Sequence, residues 1–120
     1  MSPGKTNLTL ADLRPEVAAF ALLMEAKLRK NDHKTGWKHH TSRALFNRLT
    51  EEALELIEAI KAGRSAGVVG EEAADVANFA MMIADVCGAL DLHIGHDTAR
   101  LHRMGMSPDD VRRWLRGGAP

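Results

Sequence analysis

Acidic side chains recur at helical spacing in two short segments, TEEALELIEAI at residues 50–60 and GEEAADVANFA at residues 70–80. Residues three apart lie on the same side of an α-helix, so Glu52 with Glu55, and Glu72 with Asp75, would each present two carboxylates together. Runs of acidic residues usually form solvated helix faces, and this is the alternative interpretation. The positions of the acids relative to the apolar residues distinguish the two.

In the second segment, a carboxylate falls among apolar residues. With successive residues turned by about 100°, Glu72 lies in line with Phe79 and Ile83, inside the apolar stripe, and Asp75 lies at its edge. A carboxylate in such a place costs several kcal/mol unless it is paired or binds a cation. A solvated face does not explain the position of Glu72.

In the first segment, two acids lie at the border of the apolar stripe. Glu52 lies about 80° from its centre and Glu55 about 60° further round, whereas Glu51 and Glu58 point away from it. The stripe itself consists of Leu45, Phe46, Leu49, Ala53, Leu56, Ile57 and Ile60.

Two such helices would need a counter-ion if they faced each other. The predicted helix at residues 71–90 contains no Lys or Arg, and a hairpin through residues 63–70 could bring the two acidic pairs together. Four converging carboxylates repel each other, and an all-oxygen ligand set favours Mg²⁺, with Mn²⁺ as an alternative. The predicted ligands are Glu52, Glu55, Glu72 and Asp75.

The elements that would position these residues are helical. Strand formers are sparse and no stretch alternates apolar and polar residues, so we expect one all-α domain over residues 1–120 with a core at about 13–90. The predicted helices span about residues 13–30, with Asp12 as N-cap; 42–62, capped by Thr41 or Ser42 and ended by Gly63; 71–90, with Ser65 as an earlier start; and 108–116.

Composition excludes several classes of protein. Sixteen basic and sixteen acidic residues give no net charge, which argues against binding of nucleic acid. No segment has the length of a membrane span or the apolar core of a signal peptide, so we expect a cytoplasmic protein without membrane contact. The single cysteine, Cys87, excludes an internal disulfide and falls on the predicted apolar stripe, where we expect it to be buried.

The paired acidic motifs also resemble a known family. Glu52-x-x-Glu55, followed after sixteen residues by Glu72-x-x-Asp75, is similar to the signature of the MazG-like all-α nucleoside triphosphate pyrophosphohydrolases. The segment DHKTGWKHH before the second helix resembles short MazG-like proteins of phages and bacteria. The resemblance covers about residues 15–90.

This resemblance implies a four-helix-bundle-like core, often assembled as dimers or tetramers. It also implies a magnesium-dependent enzyme that hydrolyses nucleoside triphosphates to monophosphates and pyrophosphate, with the four acids as metal ligands. Asn78 matches a position that is often polar near the nucleotide. A carboxylate not fully engaged with metal can accept the proton of the attacking water, and Glu55 is the first candidate, with Glu51 as its rival.

The polar loop before the second helix offers candidate substrate contacts. Trp37 could stack on a base, and Lys34 or Lys38 could contact phosphates; alternatively, the loop is exposed and Trp37 only covers the edge of the core. Apolar residues outside the main stripes predict a homo-oligomer, most simply a dimer; these are Leu22, Leu23, Met81 and Met82.

Two other functions remain open. A phosphoribosyl-ATP pyrophosphohydrolase of histidine biosynthesis uses similar acidic helices, although DHKTGW argues mildly against it. A catalytically silent helical module that binds a partner would not need Glu72 inside an apolar stripe.

Overall fold

The computed structural model describes residues 7–32, 34 and 36–90, and this part of the chain is all-helical without strands. Its α-helices are α1 (Pro15–Lys30), α2 (Ser42–Lys61) and α3 (Ala66–Val86), preceded by a 3-10 turn at Leu10–Asp12. The all-α expectation is confirmed for these residues, and those up to Ala89 belong to one compact unit. The helix predicted at residues 108–116 lies outside the described residues.

Side-chain caps explain where α2 and α3 begin. The Thr41 hydroxyl accepts a hydrogen bond from the Ala44 amide at 3.1 Å, as predicted for α2. The Ser65 hydroxyl accepts from the Val68 amide at 3.3 Å, so α3 begins at Ala66 and the predicted start near residue 71 is wrong. The earlier start at Ser65 is the correct alternative.

Glycines in the left-handed region follow the same two helices. Gly63, at φ +66°, lies just beyond α2 as predicted, because this conformation suits a residue without a side chain. Gly88, at φ +74°, follows the C-cap of α3, so this helix ends at Val86 rather than near residue 90.

The start of α1 corrects another prediction. Its N-cap is Arg14, and Pro15 occupies the first turn, where its missing N–H costs nothing. Asp12 instead accepts hydrogen bonds from the backbone N–H and the hydroxyl of Thr9, which close the preceding 3-10 turn. Asp12 is therefore not the N-cap of α1.

Helix α3 is central and packs against both α2 and α1. The connection to α2 is only residues 62–65, and the contacts show an antiparallel pair. Near this connection Glu55 meets Glu72, and farther from it the Arg48 guanidinium lies 5.5 Å from the centre of the Phe79 ring. The predicted hairpin is thus present and brings the two acidic segments together.

The buried line of α2 differs from the predicted stripe. Its buried residues are Leu45, Glu52 and Ala59, which are seven apart and therefore lie along one side of the helix. Glu52 is in the middle of this line, not at the border. Helical periodicity misplaced Glu52 because three of the seven residues in the predicted apolar stripe are exposed, namely Phe46, Ile57 and Ile60.

On α3 the buried residues are Ala74 and Asn78, one turn apart. Phe79 and Ile83, from the predicted stripe, are only half-buried. A helix with neighbours on two sides shares its burial between two faces, so a single stripe describes it poorly. Cys87 is the C-cap of α3 and is exposed, which corrects the expectation that it is buried.

Large apolar side chains remain exposed on all the described helices but α3. In this part of the chain, no helix is long and apolar enough to cross a membrane. Of the four residues from which a homo-oligomer was predicted, Leu22 is 73% exposed, whereas Leu23, Met81 and Met82 are half-buried. The other large exposed apolar residues are Leu8, Leu10, Leu13, Val17, Phe20, Phe46, Leu54, Ile57 and Ile60.

Candidate functional site

Three of the four predicted metal ligands meet between α2 and α3. Glu52, Glu55 and Glu72 each offer a carboxylate oxygen, and these oxygens all lie within 4.8 Å of one another. Glu52 is buried, Glu72 is half-buried and Glu55 is exposed. The helical spacing of Glu52 and Glu55 directs both toward α3, and the antiparallel packing supplies Glu72. These three residues form the acidic cluster.

Two members of the acidic cluster, Glu52 and Glu72, have raised pKa values. Burial, followed by the adjacent Glu55 and the charge of Asp75, raises the pKa of Glu52 to about 7, although Arg48 opposes this rise. Burial and the charges of Glu55 and Asp75 also raise the pKa of Glu72. Neighbouring carboxylates disfavour ionisation of Glu52 and Glu72, and a cation bound between them would favour their charged forms.

One oxygen of this cluster lacks a protein partner. Glu72 Oε2 is buried and makes no hydrogen bond among the described residues. A buried carboxylate oxygen left unsatisfied carries a substantial desolvation cost. A set of protein ligands made up only of carboxylate oxygens favours Mg²⁺ or Mn²⁺. The residues present therefore fit the predicted metal.

The fourth predicted ligand, Asp75, is occupied by a lysine. Lys27 Nζ of α1 lies 3.5 Å from Asp75 Oδ2, and both side chains are largely enclosed. On the same helix, Lys30 pairs with Glu71 at 3.1 Å and lowers the pKa of Glu71. Although α3 itself contains no Lys or Arg, α1 thus provides cations for two of its acids.

The two candidate proton acceptors, Glu51 and Glu55, differ in their contact with Arg48. Its guanidinium donates to Glu51 at 2.9 Å and lies 3.4 Å from Glu52. Glu51 is exposed and lies outside the acidic cluster, whereas Glu55 belongs to it. Glu58 is also exposed, as predicted from its position away from the apolar stripe.

A cleft of about 990 Å³ adjoins the acidic cluster. Glu52 and Asp75 line part of it, and its other walls carry basic, aromatic and amide side chains: Lys27, Lys34, Trp37, Arg48, Asn78 and Phe79. Its volume lies at the upper end of the range for small-molecule sites, about 300–1,000 Å³. Acidic and basic side chains thus line the same cleft, and its volume is sufficient for a nucleotide.

Asn78 is anchored with one end of its amide still available. Its Nδ2 donates a hydrogen bond to the Met24 carbonyl of α1 at 3.0 Å. Its Oδ1 is buried and has no hydrogen-bond partner among the described residues. Because Asn78 lines the cleft, this oxygen can accept a hydrogen bond from a ligand.

The loop residues divide into two groups. Lys34 and Trp37 line the cleft, as their predicted role requires. Lys38 is not among the lining residues; its ammonium donates to Asp85 of α3. The Trp37 indole N–H donates to the same carboxylate at 2.8 Å.

Sequence reasoning missed Lys27, Arg48 and Asp85. A signal existed for Lys27, which follows Phe20 and Met24 at helical spacing on the apolar side of α1. A signal also existed for Arg48, which precedes Glu51 and Glu52 by three and four residues on the same helix. The partners of Asp85 lie 47 and 48 positions away, and no local pattern predicts them.

Comparisons of the chain with protein-family models, curated proteins and solved structures found no match.

Proposed function

We propose that this chain is a magnesium-dependent nucleoside triphosphate pyrophosphohydrolase, which converts a (d)NTP to a (d)NMP and pyrophosphate. One observation supports this above all. Three carboxylates lie beside a nucleotide-sized cleft with basic and aromatic walls; two of them, Glu52 and Glu72, have raised pKa values, and Glu72 has an unsatisfied oxygen.

Glu52, Glu55 and Glu72 are the residues that would hold the cation, and Asp75 would join them after leaving Lys27. A bound Mg²⁺ would supply neutralisation of triphosphate charge and polarisation of the attacking water. Release of Lys27 from Asp75 would leave its ammonium in the cleft, where it can pair with a phosphate oxygen.

Glu55 is the proposed proton acceptor. It is the exposed member of the acidic cluster, so water reaches it, whereas Glu51 is paired with Arg48 outside the cluster. Water adds its oxygen to the α-phosphorus, the bond to the oxygen bridging the α and β phosphates breaks, and pyrophosphate leaves with that oxygen. The proton of the water passes to the carboxylate.

The cleft walls would hold the rest of the substrate. Trp37 offers an aromatic face for the base, and Asn78 Oδ1 offers an acceptor for a base or sugar donor. Lys34 and Lys27 offer positive charge for the phosphates. We do not assign Lys38 to the phosphates, because its ammonium is bound to Asp85.

The proposed enzyme is a homo-oligomer, most simply a dimer. The exposed apolar residues of α2, Phe46, Leu54, Ile57 and Ile60, are 41–62% exposed. Packing of these residues against a second copy of the chain would remove much apolar surface from water. Sedimentation velocity at micromolar concentration should show a species heavier than 13.1 kDa; a monomer at that mass contradicts the assembly.

The deciding experiment measures pyrophosphate release from a panel of triphosphates with Mg²⁺, with Mn²⁺ and with chelator. The panel contains the common (d)NTPs and phosphoribosyl-ATP. We expect release from at least one (d)NTP, dependent on metal. Cleavage of phosphoribosyl-ATP alone would favour the histidine-pathway alternative, and no cleavage of any member would favour the catalytically silent module.

A further inference from the structure

A second enclosed carboxylate lies far along α3 from the acidic cluster. The side chain of Asp85, in the last turn of the helix, is only 9% exposed. An enclosed carboxylate is costly unless its partners are positioned to satisfy it. The proposed reaction does not use Asp85, so its position needs another explanation.

The partners of Asp85 come from the loop between α1 and α2. The Trp37 indole N–H and the Lys38 ammonium both donate to Asp85 Oδ2, across 48 and 47 positions of sequence. These two donors hold the pKa of Asp85 below its usual value. Hydrogen bonds to one carboxylate oxygen therefore hold two consecutive loop residues against α3.

The hydrogen bond from Trp37 to Asp85 also orients the indole ring. An indole has a single N–H, at its edge, so a hydrogen bond there restricts rotation of the ring about its side-chain bonds. The Lys38 ammonium lies 5.4 Å from the ring centre, over one face of the indole. Trp37 lines the cleft in this held position.

We infer that Asp85 is a positioning residue that holds the Trp37 ring ready to stack on the base of the nucleotide. The inference rests on the proposed function. It changes the expected behaviour of the loop: Trp37 is already placed before the ligand arrives, so less ordering is needed when the ligand binds. Asp85 thereby contributes to substrate affinity without touching the substrate.

The test compares two substitutions of Asp85. Asp85→Asn keeps an oxygen that can accept the indole N–H but loses the charge, whereas Asp85→Leu has similar size and no acceptor. Lys30→Met is the control, because it removes a different contact to α3, the pair with Glu71. All variants carry Trp114→Phe, so Trp37 is the one remaining tryptophan.

The first measurement needs no nucleotide. We expect Asp85→Leu to shift Trp37 emission to longer wavelength and to increase acrylamide quenching about twofold, as for a ring released toward water. Asp85→Asn and Lys30→Met should match the parent. An unchanged spectrum in Asp85→Leu would overturn the claim that Asp85 holds the ring.

The second measurement is the kinetics of triphosphate hydrolysis. We expect Asp85→Leu to raise KM about tenfold, a typical loss for one stacked base, with kcat within about twofold of the parent. Asp85→Asn should restore KM. A normal KM in Asp85→Leu, or an equally raised KM in Asp85→Asn, would overturn the positioning role while leaving the proposed function intact. Absence of hydrolysis by the parent protein would refute the proposed function, and the positioning role with it.

Discussion

Two carboxylates of similar enclosure behave in opposite ways. The Glu52 side chain is 11% exposed and that of Asp85 is 9% exposed. Burial and neighbouring acids raise the pKa of Glu52 to about 7, whereas Lys38 and the Trp37 indole lower the pKa of Asp85. The difference lies in their neighbours: Asp85 has donors from the chain, and Glu52 lies chiefly among other acids.

The contrast separates a structural carboxylate from a binding carboxylate. A carboxylate that joins two elements is neutralised by the protein, as Asp85 is by the loop. The acidic cluster is only partly neutralised, by Arg48, and retains the unsatisfied Glu72 Oε2. Asp75 lies between these cases, because Lys27 pairs with it beside the cluster. If the incomplete neutralisation of the cluster serves an external cation, substitutions in the cluster and at Asp85 should have different consequences.

The largest expected effect follows removal of one charge from the acidic cluster. Glu72→Gln should lower kcat/KM for triphosphate hydrolysis by about two orders of magnitude or more, since a catalytic metal contributes several kcal/mol. Pyrophosphate release measures the loss, and circular dichroism checks that the helices remain. Glu58→Gln, an exposed acid on the same helix as Glu52, is the control and should stay near the parent.

The same assay separates the candidate proton acceptors. Glu55→Gln should be as inactive as Glu72→Gln, and Glu51→Gln should retain most of the activity, because Glu51 faces Arg48. An inactive Glu51→Gln enzyme with an active Glu55→Gln enzyme would reverse this assignment. An inactive Glu58→Gln enzyme would instead move the motif to the overlapping pair Glu55 and Glu58.

The next effect is on stability without metal. The pKa of Glu52 is about 7 in the folded protein, against an ordinary value of 4.5, so between these values the folded state binds the extra proton. Stability should fall as pH rises from about 4.5 to 7, by up to about 3 kcal/mol from this residue. Urea unfolding in chelator measures the fall.

Glu52→Gln is the matched variant, because its amide does not titrate. Its free energy of unfolding should lack this part of the pH dependence. Mg²⁺ should stabilise the parent most near and above pH 7, where it no longer competes with the proton. Equal pH profiles for parent and variant would contradict the raised pKa.

A smaller effect is expected from Lys27. Lys27→Met removes the ammonium that occupies Asp75, so the nucleotide-free protein should bind Mn²⁺ more tightly. About 1 kcal/mol, the value of a partly exposed ion pair, corresponds to roughly fivefold in Kd. Electron paramagnetic resonance of free Mn²⁺ measures the change.

Lys30→Met again serves as the control, since Lys30 pairs with Glu71 and not with a predicted ligand. Its Mn²⁺ affinity should equal that of the parent. Weaker Mn²⁺ binding in Lys27→Met would mean that Asp75 needs its lysine and is not a metal ligand.

The smallest expected effect on stability comes from the titration of Asp85. This pH dependence has the opposite sign to that of Glu52. A lowered pKa means that stability is present above the ordinary value of 3.8 and is lost as pH falls through the folded value. The loss should be below about 1 kcal/mol, because Lys38 is largely exposed. In acid, the stabilities of the parent and Asp85→Asn should converge once the pH falls below the lowered pKa of Asp85; profiles that stay apart at the acid end would contradict the assignment.

The sequence by itself determined the helical class of the described residues and three members of the acidic cluster, Glu52, Glu55 and Glu72. Periodicity and caps are local, so Thr41 and Gly63 marked the ends of α2 correctly. The three-residue spacing of Glu52 and Glu55 also carries over directly, because it follows from the turn of the helix. The metal and the reaction remain predictions from these residues and their resemblance to a family.

Only the tertiary structure decided which faces are buried and which cations reach the acids. The apolar stripe of α2 put Glu52 at its border, yet packing against α3 buries the line through Leu45 and Ala59, with Glu52 at its centre. Lys27 reaches Asp75 from α1, and Trp37 reaches Asp85 from the loop, across 48 positions each. Contacts between distant residues depend on how helices pack, and helical periodicity describes one helix at a time.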